Sequence, residues 1–147
     1  MKKRVLLIDD DEDIVRGTNL RLRASGYDTL FETDGEAGYQ SAVQTLPDAV
    51  VLDVRMCKKS GLEVLADLKG NAVTRDIPVV MLSASLIDQT AALDGGARFF
   101  LRKPYQGEEL LAAIGTAIEG SSRSATKLGA LAPTIARGQD VTLAPAL

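Results

Sequence analysis

Short apolar runs alternate along the chain with longer stretches in which apolar residues recur every three or four positions. Arg4–Ile8 is an almost continuous apolar run ending in acids, the pattern of a buried strand. Glu12–Ser25 then places Ile14, Thr18 and Leu22 at helical spacing and is closed by Gly26. Gly17 weakens this helix by about 1 kcal/mol relative to alanine. Tyr27–Thr33 reads as a second strand, and Asp34 as the N-cap of a helix that runs to Thr45 and stops before Pro47. Ala49–Leu52 is a third, wholly apolar strand. Gly61–Lys69 is a helix with Leu62, Leu65 and Leu68 on one face, stopped by Gly70-Asn71. Pro78–Leu82 is a fourth strand, with proline at its first position, where a strand tolerates it. Leu86–Asp94 is a short helix ended by Gly95-Gly96, and Ala97–Leu101 is a fifth strand. Gln106–Glu119 is the last helix, with Leu110, Leu111, Ile114, Ala117 and Ile118 as a broad apolar stripe. The alternation predicts an α/β fold, (βα)5, with a doubly wound parallel sheet covered on both faces.

The pattern ends there. Residues 1–120 form one domain with room for a full core. Residues 121–147 are rich in Ala, Ser, Thr, Gly and Pro, with scattered Leu128, Leu131, Ile135 and Leu143. This stretch reads either as a linker or disordered tail, or as an arm that packs on this domain or on a partner. Charge divides in the same place. Residues 1–119 carry 14 basic and 19 acidic side chains, and residues 120–147 carry 3 and 1. An acidic body is a poor electrostatic match for nucleic acid.

Composition removes several chemistries. There is no histidine, which excludes a Ser-His-Asp hydrolase and His-based zinc or haem sites. Cys57 is the single cysteine, so no intrachain disulfide forms. No apolar run approaches the ~20 residues that cross a bilayer. The run behind the basic Met1-Lys2-Lys3-Arg4 ends at Asp9, too soon for a signal peptide. The expectation is a cytoplasmic protein with no membrane association.

In a doubly wound sheet, sites form outside the carboxyl ends of the strands. Here those ends carry Asp9-Asp10-Asp11, Asp53, Ser83 and, just past the fifth strand, Lys103-Pro104. Clustered carboxylates repel unless a cation sits among them, and an all-oxygen donor set favours Mg²⁺ or a similar hard cation such as Mn²⁺. An aspartate can then serve as nucleophile towards phosphorus, with a metal, a lysine and a hydroxyl to receive the phosphoryl charge. Each residue alone has an ordinary reading: Asp9–Asp13 as a solvated acidic turn, Asp53 as an acid after an apolar strand, Ser83 as a helix cap, Lys103 as a surface lysine. The signal lies in the four strand ends together.

Four segments carry a resemblance to the receiver domains of two-component response regulators, of the chemotaxis-regulator kind. They are Val5-Leu6-Leu7-Ile8-Asp9-Asp10, Val50-Val51-Leu52-Asp53-Val54-Arg55-Met56, Val80-Met81-Leu82-Ser83-Ala84, and Gly96-Ala97-Arg98-Phe99-Phe100-Leu101-Arg102-Lys103-Pro104-Tyr105. The resemblance covers residues 3–119. It implies a flavodoxin-like sheet in strand order 2-1-3-4-5, which would bring the four ends to one rim. It implies that Asp53 accepts a phosphoryl group from a sensor histidine kinase or a phosphotransfer protein. Asp10 and Asp53 would hold Mg²⁺, Asp9 largely through water, and the backbone carbonyl of Arg55 would complete the protein's share. Lys103 would pair with a phosphoryl oxygen, and Ser83 would bond another. Phe100 falls at the aromatic switch position. The face of the fourth helix, fifth strand and fifth helix would then signal a downstream protein, an effector domain, or a second copy in a homodimer. The chain would be no classical enzyme, although it assists its own phosphorylation and slow hydrolysis.

Arg55, Ala84 and Cys57 are positions that would modulate the site. Arg55, two residues past the acceptor, is expected to affect the phosphate lifetime through its side chain. Cys57 stands where relatives usually carry proline, either as a tolerated substitution or as a redox-sensitive thiol near Lys58 and Lys59. Three rival readings remain. One is a receiver-like interaction module that takes no phosphate. A flavodoxin-like cofactor binder would need a hydroxyl- and glycine-rich loop where Asp9-Asp10-Asp11 stands. A haloacid-dehalogenase-type phosphatase would carry its nucleophile after the first strand, whereas the better candidate here ends the third.

Overall fold

The computed structural model of the protein describes residues 2–127, the last six by their backbone. Strands β1 (Arg4–Ile8), β2 (Asp28–Glu32), β3 (Ala49–Asp53), β4 (Val79–Ser83) and β5 (Phe99–Arg102) form one parallel sheet in the order β2-β1-β3-β4-β5. Each strand is followed by a helix: α1 (Glu12–Ala24), α2 (Gly35–Thr45), α3 (Gly61–Gly70), α4 (Ile87–Asp94) and α5 (Gly107–Lys127). This is the expected doubly wound, flavodoxin-like fold, strand order included.

The helix starts follow from local chemistry. Asp11 caps α1 by accepting from the N–H groups of Asp13 and Ile14, and Glu12 and Asp13 lie in the first turn, where the helix dipole favours acids. The Asp34 carboxylate accepts from Ala37 N–H at 2.8 Å and starts α2. Ser60 and Glu63 form a reciprocal capping box at α3. Gly26, at φ +98, turns the chain out of α1 towards β2.

Side chains alternate across the sheet and build two cores. Leu6, Ile8, Val50, Leu52, Met81 and Phe100 pack with Ala42 of α2, Val64, Leu65 and Leu68 of α3, and Ala92 of α4. Val5, Leu7, Val51, Val80, Leu82 and Leu101 pack on the other face with Leu22 of α1 and Leu110, Ala113, Ile114, Ala117 and Ile118 of α5. Strands β3 and β4 are buried at every position. With both faces covered, the sheet offers chemistry only at its ends.

Several boundaries differ from the pattern's expectation. β3 and β4 each run one residue further, so that Asp53 pairs with Leu82 and Ser83 with Arg102 in the ladder. β5 begins at Phe99 rather than Ala97, because Gly96 at φ +109 and the Ala97 N–H bond to Ala92 O (3.0 Å) still belong to the end of α4. Helix α5 continues past Glu119 to Lys127. Its apolar stripe ends at Ile118, but Ser121–Lys127 contains no proline, and extending an existing helix needs no new nucleus. The expected boundary at residue 120 therefore falls inside a helix. The remainder of the predicted tail, 128–147, lies outside the described residues.

Candidate functional site

Parallel strands bring their carboxyl ends to one edge, and the predicted residues gather there. Ile8 pairs with Leu52, so Asp9 and Asp53 leave adjacent strands side by side. Lys103 follows β5, and its backbone N–H donates to Ser83 O at 2.8 Å. Its Nζ lies 2.7 Å from Asp53 Oδ1 and 3.7 Å from Asp9 Oδ2. Asp9, Asp10 and Asp53 each present a carboxylate oxygen, all within 4.8 Å of one another. Asp9 Oδ1 accepts the Asp11 N–H at 3.0 Å, and Asp10 Oδ2 accepts the Cys57 N–H at 2.9 Å.

Burial dominates the electrostatics. Asp9 and Asp53 are both buried. Desolvation pushes the Asp53 carboxyl up to about 6, against the hydrogen bond from Lys103 and with the help of the Asp9 charge. Asp9 is raised for the same first reason, offset in part by the Asp11 N–H and Lys103. Burial alone would lower Lys103, but its hydrogen bond to Asp53 and the two nearby carboxylates outweigh that and raise it. Lys103 thus pairs with two of the three clustered carboxylates, Asp53 and Asp9. Asp9 Oδ2 is buried without a hydrogen-bond partner. A buried carboxylate oxygen with no hydrogen bond and only a 3.7 Å ion pair, beside two other carboxylates and no His or Cys ligand among the three, fits a hard divalent cation.

The other predicted residues are placed as follows. Ser83 is fully buried, and its hydroxyl donates to Asp88 Oδ2 at 2.7 Å rather than pointing at Asp53 as a donor. Arg55 turns its guanidinium to the same Asp88, Nε to Oδ2 at 2.9 Å and Nη2 to Oδ1 at 3.0 Å. These bonds hold the Asp88 carboxyl below the usual carboxylate range despite its burial, and Ser83 adds to the effect. Phe100 is buried on the side of the sheet that faces α2, α3 and α4. Ala84 is exposed just past β4, and the Cys57 side chain is exposed.

Two residues escaped the sequence reading. Asp88 gave no local signal beyond an acid in the first turn of a helix. Gly61 marks only a helix start in the sequence pattern, yet a Cβ there would fall inside 3.0 Å of the Asp53 carbonyl and of Val54 Cα. Its N–H donates to Val54 O at 2.8 Å, so the chain passes directly against the end of β3.

Fold and rim together define a doubly wound α/β protein whose chemistry is gathered at the carboxyl edge of its sheet. The sequence model of the response regulator receiver domain matches residues 5–115, and the chain belongs to that family of signalling domains. It is 37% identical over 125 residues to the transcriptional regulatory protein PrrA of Mycobacterium tuberculosis, covering 84% of this chain and 53% of PrrA. It is 37% identical over 122 residues to the DNA-binding dual master transcriptional regulator RpaA of Synechocystis sp., covering 82% of this chain and 51% of RpaA. The chain thus spans about half the length of these curated relatives. Among solved structures, a response regulator receiver domain protein from Clostridium thermocellum matches with TM-score 0.77 at 27% identity, over 82% of this chain and 97% of that one. The receiver domain of the sensor histidine kinase PA1611 from Pseudomonas aeruginosa PAO1, solved with a magnesium ion in its active site cleft, shares the fold. It matches with TM-score 0.75 at 24% identity, over 81% of this chain and 99% of that one. Among the described residues, no helix is long and apolar enough to cross a membrane.

Proposed function

We propose that the chain accepts a phosphoryl group on Asp53 from a sensor histidine kinase or a phosphotransfer protein, in a reaction that needs Mg²⁺ or Mn²⁺. The observation that carries this reading is Lys103 Nζ at 2.7 Å from Asp53 Oδ1, beside two further carboxylates, one with an orphaned oxygen. An Asp53 oxygen attacks phosphorus, a new P–O bond forms, and the bond from phosphorus to the donor's nitrogen breaks. Lys103 then keeps a place beside the phosphoryl oxygens as their counter-charge. Mg²⁺, held by Asp9, Asp10, Asp53 and the backbone carbonyl of Arg55, would supply neutralisation of the charge that builds on the transferring oxygens. The orphaned oxygen and the raised Asp53 and Asp9 both support a cation among these groups.

The signal follows from Ser83 and Phe100. A phosphoryl group brings strong acceptor oxygens that draw the Ser83 hydroxyl, and Phe100 repacks behind it. The α4–β5–α5 face then changes, towards a downstream protein, an effector domain, or a second copy of the chain. Its acidic body argues against nucleic-acid binding by these residues themselves, and a cytoplasmic location fits a kinase-fed domain. Incubation with acetyl phosphate and Mg²⁺ tests the reading by intact mass. The wild type gains one phosphoryl group and Asp53→Asn gains none. A folded wild type that gains nothing overturns the reading and favours an interaction module that takes no phosphate.

A further inference from the structure

Asp88 stands outside the residues assigned to the phosphoryl site, yet two of them meet on it. Its Oδ2 accepts the Ser83 hydroxyl at 2.7 Å, and its two oxygens take the Arg55 guanidinium in a bidentate grip. A serine hydroxyl has one proton to donate. Ser83 commits that proton to Asp88, while its own oxygen accepts the Ser85 N–H at 3.1 Å. In this arrangement Ser83 has nothing left to donate to a phosphoryl oxygen on Asp53. Both partners are buried, Ser83 at 0% and Asp88 at 7% exposure, so this charge-assisted bond is made where water competes poorly.

We propose that Asp88 is a positioning residue for the phosphoryl site: it holds the Ser83 proton in the unphosphorylated chain and competes with the phosphoryl group for it. The inference rests on the reading that Asp53 takes a phosphoryl group. When Ser83 turns to a phosphoryl oxygen, its bond to Asp88 breaks. Arg55 stays on Asp88, so the carboxylate is not left buried and unpaired, and the exchange remains close to balance. The exchange also moves a structural tie. Ser83 ends β4 and Asp88 sits in the first turn of α4, whose N-cap residue, Leu86, makes no side-chain cap and whose first N–H, of Ile87, is held by Ser85 Oγ at 3.2 Å. Releasing that bond removes the side-chain tie between the end of β4 and α4 and loosens a helix start held otherwise by Ser85, where Leu86 and Ile87 stand exposed at 52% and 85%. Asp88 therefore connects the occupancy of Asp53 to the α4 end of the signalling face.

The test titrates beryllofluoride, which mimics a phosphoryl group on aspartate, by calorimetry at saturating Mg²⁺. Wild type, Asp88→Ala, Ser83→Ala and the double variant are compared. Removing the competitor makes Asp88→Ala bind roughly tenfold tighter than wild type, the scale of a hydrogen bond to a charged group. In the Ser83→Ala background no proton is contested, and Asp88→Ala changes affinity by less than about twofold. Unchanged or weaker binding by folded Asp88→Ala overturns the proposal, as does an equal tightening without Ser83. Asp88→Asn serves if truncation disturbs α4. Its neutral amide oxygen still accepts, more weakly, so binding tightens by about threefold, and an unchanged affinity again overturns the proposal. A folded wild type that binds no beryllofluoride sinks the phosphoryl reading, and this proposal with it. Wild-type binding with an inert Asp88 sinks this proposal alone.

Discussion

At position 57 it is the backbone that reaches the site. The Cys57 N–H donates to Asp10 Oδ2, while the thiol is exposed. Cys57→Ala keeps that donor, so phosphorylation by acetyl phosphate should proceed within about twofold of the wild-type rate, as for most surface substitutions. A large loss of rate would restore the thiol as a functional group. A proline at this position would have no N–H to give Asp10, which is a physical consequence of the departure that the sequence flagged without explaining. Gly61 is the opposite case, a residue whose backbone leaves no space. Gly61→Ala places a methyl against the Asp53 carbonyl and should destabilise the fold by about 3 kcal/mol, read by urea unfolding. Near-wild-type stability would mean that β3 and α3 can part without cost. The convergence of Asp9, Asp53, Ser83 and Lys103 was legible because each ends or directly follows a strand, and parallel strands share an edge. Asp88 and Gly61 were not: Asp88 holds an Arg55 that lies 33 positions away, and Gly61 meets the Asp53 carbonyl only through the path that the loop between them takes.

At the level of elements, periodicity located every strand and helix among the described residues, and its errors fell at ends where backbone geometry decides. The Gly96 turn delays β5, and α5 outlasts its own apolar stripe. Within α1 the sequence also marked a weakness that the structure leaves correctable. Gly17 sits on the exposed side of the helix, with nothing within 4 Å of a Cβ built there and no positive φ to protect. Alanine there narrows the unfolded ensemble and suits the helix. Gly17→Ala should therefore gain about 0.5–1 kcal/mol and raise the Tm by roughly 3 °C. The acetyl phosphate reaction should be unchanged, since Gly17 touches no site residue. A lower Tm would show that α1 makes a use of Gly17 that its open surroundings do not reveal.

Over the whole molecule, the acidic edge sets how stability depends on pH. Asp53 has a folded-state pKa of about 6 against a reference of 3.8, and Asp9 is raised as well. A carboxyl raised by folding binds its proton more tightly in the folded chain. Between roughly pH 4 and 6 the folded state therefore holds protons that the unfolded state has released, and stability falls as pH rises through that window. At about 1.4 kcal/mol per unit, Asp53 contributes a penalty of up to ~3 kcal/mol at pH 7, in the absence of a cation. Asp88 acts with the other sign: its lowered pKa adds stability above the ordinary carboxylate range, which is lost only as pH falls below it. In EDTA, the wild-type Tm should thus rise as pH is lowered from 7 to 5. Asp53→Asn removes the larger charge penalty at the cost of one Lys103 partner, while Asp9 remains within 3.7 Å of that lysine. Its Tm at pH 7 should exceed that of wild type by several degrees and depend less on pH. Mg²⁺ at pH 7 should raise the wild-type Tm and raise that of Asp53→Asn by less, because a cation offsets the buried negative charge and Asp53→Asn carries one buried carboxylate fewer. A wild-type Tm that is flat or falls between pH 7 and 5 in EDTA would mean that Lys103 already balances the rim. The energetic argument for a cation among Asp9, Asp10 and Asp53 would then be lost.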